Sequence, residues 1–301
     1  MFVWQLVLTS LLWAGNFVAG KWTAGHASAM MLSELRFGIA ILVILPFVWI
    51  KETRLLPPRK AIPLLLGMGA TGVTLFNVLL FEALAHTSAA NTGLLSTLNP
   101  AAIALISFLA FGHRLTLRQA AGMIVSFAGV VIVLTRGDLE RLLALQFNRG
   151  DLMMIGAVLF WGCYTILSQK AMAYVSPLAA TLWSGIFGLA FMLPFNIMQF
   201  TFTLVDATPA FWAAMIYIGV GATVIASLLW NLGVKRIGGT HAGIFLNLNP
   251  VFTSLLAFLL LDERMNASQW IGTTVVIGGM LLFSTTHQRR KQPRADSYSE
   301  Q

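Results

Sequence analysis

Asn99-Pro100 and Asn249-Pro250 each sit inside a long apolar run, where both residue types are costly. An asparagine amide in hydrocarbon must find a partner. A proline inside a helix leaves a carbonyl one turn earlier, that of Ser96 or Leu246, without its usual donor. Trp13 with Asn16, and Trp161 with Tyr164, repeat the theme: an indole followed one turn later by a polar group. Asn77 and Ser227 add a third pair. Such residues bind rather than react, because amides and hydroxyls exchange hydrogen bonds while indole faces stack on rings or hold cations. No reactive constellation accompanies them. Ser, His and acidic residues do not converge in a nucleophile–base pattern. His26, His86, His113, His241 and His287 are scattered singly, and Cys163 is the one cysteine. The sequence therefore predicts a binding protein rather than an enzyme, with no metal and no cofactor.

The elements that carry these residues follow from composition. The 301 residues are 57% hydrophobic and only 10% charged, with a mean hydropathy of +0.80. Soluble domains are roughly a quarter charged, so the chain is read as an all-α polytopic membrane protein. Continuous apolar runs rule out a barrel, whose strands would alternate. Ten transmembrane helices are predicted, near 2–22, 29–50, 61–84, 88–111, 117–135, 152–172, 177–200, 209–233, 240–261 and 268–285. The first run lacks a basic leader, and its "LLWAGNFVAGK" (11–21) resembles "LFWGCYTILSQK" (159–170), so it is read as a span and not a signal peptide.

Cations give the orientation. With the N-terminus inside, thirteen Lys and Arg fall in the inner intervals and five in the outer ones. That bias predicts cytoplasmic termini in a bacterial inner membrane and accounts for the net charge of +8 without nucleic acid. The basic tail 286–301 has no apolar face and is expected to be disordered.

Displacing the chain by 150 residues superposes its halves. "STLNPAAIALISFLAFGHRLTLRQAAGMIVSFAG" (96–129) lies over "LNLNPVFTSLLAFLLLDERMNASQWIGTTVVIGG" (246–279), matching Asn99/Asn249, Pro100/Pro250, Arg114/Arg264, Gln119/Gln269, Gly122/Gly272 and Gly129/Gly279. Apolar composition alone would not align Asn, Pro, Arg, Gln and Gly in order. The units are a first five-helix repeat over 1–135, a connecting loop over 136–151 and a second repeat over 152–285. Five spans is an odd number, so the second copy enters the membrane from the other side. Two inverted five-helix repeats are characteristic of secondary transporters, whose site lies near the midplane between the halves.

Paired "LNP" motifs, "LLWAGNF" (11–17) and "LDER" (261–264) resemble the EamA family of the drug/metabolite transporter superfamily, over nearly the whole chain. The arrangement is most similar to bacterial aromatic amino-acid exporters of the YddG type. The resemblance implies export of small metabolites, often amino acids. The first copy departs from the acidic pattern, reading Gly112-His113-Arg114.

Against that frame, Trp13, Asn16, Asn77, Asn99, Trp161, Tyr164, Ser227 and Asn249 are the candidate substrate-binding residues. Two uses fit the Asn-Pro pairs: walls of a cavity, or helix–helix contacts. Pro100, Pro250, Gly238 and Gly239 are candidate kinks or hinges, and Glu82 with His86 a candidate outer gate or an interfacial pair. Lys21, Glu34 and Arg36 are expected to neutralise one another. Gly122, Ser126 and Gly129 share a face suited to close packing. No acidic residue falls near a predicted midplane, which points to facilitated or weakly coupled transport of a neutral or zwitterionic solute. Efflux of hydrophobic cations is the alternative. Partners are the lipid bilayer and a small-molecule substrate, and a monomer is compatible with everything above.

Overall fold

In a bilayer every backbone amide must be satisfied within the chain, so long apolar runs fold as helices. The computed structural model describes residues 3–23, 26–52, 54–86, 95–138, 140, 143, 148–199, 208–260 and 266–284. Helix α1 covers Val3–Thr23 and α2 Ala29–Lys51. Helix α3 is α-helical over Ile62–Met68, π-helical over Gly69–Leu75 and α-helical again over Phe76–His86. Helices α4 (Asn99–Phe111) and α5 (Leu117–Thr135) follow, then α6 (Arg149–Ala171) and α7 (Pro177–Gln199). Helix α8 runs through Pro209–Ile216, a π-helical Tyr217–Ile225 and Ala226–Ile237. Helix α9 comprises Gly239–Gly243, a 3₁₀ turn Ile244–Asn247 and Leu248–Leu260, and α10 covers Ala267–Ser284.

Helix starts are written in the sequence. Thr116 and Gln119 form a capping box at α5, and Asn148 with Asp151 forms another at α6, each satisfying amides that have no helical partner. Among the described residues there is no strand. Seven stretches are long and apolar enough to cross a membrane, while Asn99–Phe111 and Ala267–Phe283 are shorter apolar helices. Of the α4 span predicted from residue 88, residues 88–94 lie outside the described residues; Leu95 and Ser96 are helical, Thr97 and Leu98 form a turn, and the helix resumes at Asn99, where Pro100 suits a first turn.

The halves interlock. Helix α1 packs on α8 and α9, while α6 packs on α3 and α4. Helices α2 and α7 pack on each other, and each leans on the π-helical stretch of the opposite half. Helices α5 and α10 meet along a seam of small residues. A Cβ on Gly122 would sit 2.8 Å from the Gly279 carbonyl oxygen, and one on Gly129 2.8 Å from that of Gly272. Polarity is inverted relative to a soluble protein: Leu42, Trp49, Ile124, Ile271 and Leu281 are exposed, whereas Thr9, Ser10, Asn77, Asn231 and Asn247 are buried.

Contacts near the helix ends sort the connections into two groups. The Ser176 hydroxyl donates to the Glu52 carboxylate, the Trp183 indole to the Leu55 carbonyl at 3.0 Å, and the Lys170 ammonium lies 5.1 Å from the Phe111 ring centre. These join connections assigned to one side by the charge count. At the other end Asn266 donates to the Arg136 carbonyl at 2.8 Å, joining two connections assigned to the opposite side. The "LDER" loop, the connection over 87–94, residues 139, 141–142 and 144–147 of the 136–151 loop and the tail 286–301 lie outside the described residues.

Candidate functional site

The helix packing leaves a central cavity of about 200 Å³, small beside the roughly 300–1,000 Å³ of most ligand pockets. Its walls include Trp13 and Asn16 of α1, Asn77 of α3, Asn99 of α4, Trp161 and Tyr164 of α6, Ser227 of α8 and Asn249 of α9. All eight candidate binding residues, from both halves, thus meet around one space.

One wall is aromatic. Trp13 meets Trp161 edge-on, with ring centres 5.4 Å apart at 81°. Trp161 stacks on Tyr164 at 5.0 Å and touches Phe76 at 5.3 Å. Trp230, fully buried, backs both indoles at 5.5 and 5.9 Å. The Trp13 indole donates to the Ala222 carbonyl at 2.9 Å, whereas the buried Trp161 Nε1 has no partner. The two corresponding indoles therefore differ: one N–H donates within the protein, and the other is buried without a partner.

The opposing polarity comes from the Asn-Pro pairs. Pro100 and Pro250 each stand in the first turn of a helical segment, not inside an unbroken helix, so each span restarts here. Before α4 the Leu98 amide donates to the Leu95 carbonyl at 3.0 Å. Before the α9 restart the Leu246 carbonyl accepts from the Leu248 amide, and Ser10 donates to the Phe245 carbonyl at 2.8 Å. Asn99 Oδ1 and Asn249 Oδ1 are buried without partners. Asn247, which lacks an asparagine counterpart in the first copy, donates to Ser126 at 3.0 Å and ties α9 to α5.

The π-helical stretches occupy corresponding places in the two halves, Gly69–Leu75 and Tyr217–Ile225, and both reach the cavity, through Gly72 and Val73 and through Ala222, Thr223 and Val224. Thr74 and Thr223 each donate to a carbonyl five residues back, Gly69 at 3.2 Å and Ile218 at 2.8 Å, the spacing of a π turn. Gly72 is required by close approach: a Cβ there would lie 2.3 Å from the Tyr164 ring. Neither stretch is anticipated from the sequence, although both carry a Gly-Ala-Thr triplet, at 69–71 and at 221–223.

Three further features were missed or misjudged. Asn231 donates to Thr181 at 2.9 Å and accepts from Ser168 at 2.7 Å and Tyr164 at 3.4 Å, a buried network behind the wall. Thr181 and Ser184 of α7 also line the cavity. Arg36 forms no ion pair with Glu34: residues two apart lie on different helix faces, and Arg36 turns to Asn77 Oδ1 at 2.8 Å and to the cavity; the Lys21 side chain lies outside what is described.

The gating candidates lie elsewhere. Glu82 and His86 are exposed at the end of α3, where the His86 ring meets the Glu82 backbone carbonyl at 2.8 Å. Gly238 turns the chain between α8 and α9 with a φ of 81° that other residues resist. Gly239 donates to Gln169 at 2.8 Å. Among the described residues no group of His, Cys, Asp or Glu could hold a metal ion.

Comparison with known proteins agrees with this architecture. The model of the EamA-like transporter family matches twice, over residues 1–135 and 148–285. The uncharacterized transporter YyaM of Bacillus subtilis (strain 168) is 29% identical over 280 residues, covering 91% of this chain and 90% of its own. A probable terminal-alkyne amino-acid exporter of Streptantibioticus cattleyicolor is 26% identical, covering 96% of each chain. A biotin transporter of Salmonella typhimurium is 24% identical over 96% of this chain and 94% of its own. A solved crystal structure at 22% identity covers 95% of this chain and 98% of its own with a TM-score of 0.79, a likeness of fold. With both halves matched by one family model, the chain is a multi-pass membrane protein that belongs to the EamA-like transporter family.

Proposed function

We propose that this transporter exports small metabolites, amino acids including aromatic ones foremost, by alternating access through the central cavity. Ten spans as two inverted five-helix repeats, in a bacterial inner membrane with both termini cytoplasmic, complete the reading. The observation that carries it is the cavity itself, whose lining residues include an aromatic cluster together with Asn99, Asn249 and Trp161, each holding a buried polar atom that lacks a partner. Buried polar atoms without partners are rare, and a solute with both an apolar body and polar ends would satisfy them. The amino-acid exporter among the relatives supports the same class. Restarted helices bordering a midplane cavity fit the way transporters expose backbone and amides to substrate.

Efflux of hydrophobic cations is favoured by one observation, the Trp13–Trp161–Tyr164 cluster, since indole faces attract cations. Against it, the described lining of the cavity contains Arg36 and no acidic residue. The absence of a lining carboxylate also supports transport without an obligatory proton partner. Purified protein in liposomes, offered radiolabelled amino acids, nucleobases and quaternary amines, tests the reading. Saturable uptake of aromatic amino acids, with or without an imposed proton gradient, is expected. Uptake of the amines alone would replace the proposal with the cation reading.

A further inference from the structure

We propose that Arg36 is the carboxylate anchor of the cavity and that it fixes which way round a zwitterionic solute lies. The inference rests on the transport reading above. Arg36 lies seven residues into α2, about 10 Å from the helix start at 1.5 Å per residue, and lines the cavity. Its guanidinium donates from Nη2 to Asn77 Oδ1 at 2.8 Å and stands 4.8 Å from the Phe37 ring centre. Its Nε is buried without a hydrogen-bond partner. Neither contact neutralises the charge, and none of the described residues lining the cavity is acidic.

A cation at membrane depth is costly and ordinarily finds a counter-charge or marks a substrate path. Here the described residues lining the space supply no counter-charge, so the natural partner is an anionic group on the solute. A guanidinium presents a planar fork of donors that matches a carboxylate. Asn77 is the positioning residue: its own Nδ2 donates to the Val73 carbonyl on the π-helical stretch at 2.6 Å, which aims Oδ1 at Arg36.

The charge is one-sided. Pro46 of α2 and Pro194 of α7 correspond at an interval of 148 residues, and the same interval carries Arg36 to Ser184, which also lines the cavity. A pseudo-symmetric space thus has one cationic flank. Asn99 Oδ1 and Asn249 Oδ1 can only accept, so they suit the ammonium end, and the Trp13–Trp161–Tyr164 wall suits the apolar body.

Three matched solutes separate the ends: phenylalanine carries both charges, 3-phenylpropionate only the carboxylate, and 2-phenylethylamine only the ammonium. The measurements are uptake into liposomes holding the full chain and quenching of tryptophan fluorescence in detergent. Wild-type protein is expected to bind and carry phenylalanine, to bind 3-phenylpropionate in competition with it, and to ignore 2-phenylethylamine. Arg36→Gln should raise the half-saturating phenylalanine concentration by about tenfold or more, the loss expected for a charge-assisted hydrogen bond, and Arg36→Lys should recover part of it. The solute panel on wild-type protein decides the matter even if a variant folds poorly. Equal binding of phenylalanine and 2-phenylethylamine would overturn the anchor and leave amino-acid transport standing. Binding and transport of 3-phenylpropionate with refusal of phenylalanine would uphold the anchor and overturn the amino-acid reading. Refusal of both carboxylates would overturn both.

Discussion

Trp161 is the centre of the proposed recognition wall, because its ring joins Trp13, Tyr164 and Phe76 while its Nε1 stays unpartnered. Aromatic pairs contribute about 0.5–1.5 kcal/mol beyond area burial. Trp161→Ala should therefore weaken transport of phenylalanine or tryptophan by about tenfold or more, with a smaller effect on alanine. Competition uptake with both solutes checks this, and equal losses would point to collapse of the wall rather than lost stacking. The eight candidate residues were legible in the sequence because polar and indole groups are conspicuous in apolar runs. Arg36 was misjudged for a physical reason: at the residue level a nearby opposite charge looks like a partner, and helix geometry decides otherwise. Asn231 and Trp230 gave no signal, since neither has a matching residue in the other half to draw attention.

At the scale of elements, the seam between α5 and α10 shows how small residues substitute for the missing hydrophobic effect in lipid. Backbones approach there until a Cβ on Gly279 would lie 2.7 Å from the Gly122 carbonyl oxygen. Gly129→Leu should force the pair apart at a cost of about 1–3 kcal/mol, as overpacking does elsewhere. The expected result is a clear fall in melting temperature in detergent. None of the seam glycines lines the cavity, so transport per folded molecule should change little. This packing face was readable from the spacing of Gly122, Ser126 and Gly129. The π-helical stretches were not, because one extra residue per turn barely alters a pattern in which nearly every position is apolar. Nor does a sequence distinguish a proline that bends a helix from one that begins it. The answer depends on the turn before, and here Leu95–Leu98 and Ile244–Asn247 supply tight turns.

For the molecule as a whole, symmetry and its breaking describe the design. Corresponding helices cross between the halves, and Asn99 and Asn249 line a shared cavity, yet among its described lining residues Arg36 is the one charge. The end-to-end contacts group the connections onto two sides, and the cation count assigns those sides. In a Cys163→Ser background, Ala267→Cys should react with a membrane-impermeant thiol reagent on intact cells. Arg54→Cys should react only after permeabilisation, and the reverse pattern would invert the topology. The repeat made the global architecture legible from 150-residue periodicity, whereas the occupant of the cavity depends on atomic contacts that periodicity does not encode. The most direct measurement of the central claim places a cysteine in the cavity wall itself, Ser227→Cys in the same background, with a lipid-facing Leu281→Cys as control. A small permeant thiol reagent is then applied with and without saturating phenylalanine. Protection at position 227 and none at 281 is predicted, whereas equal labelling at 227 in the presence and absence of solute would contradict the assignment of this cavity as the substrate site.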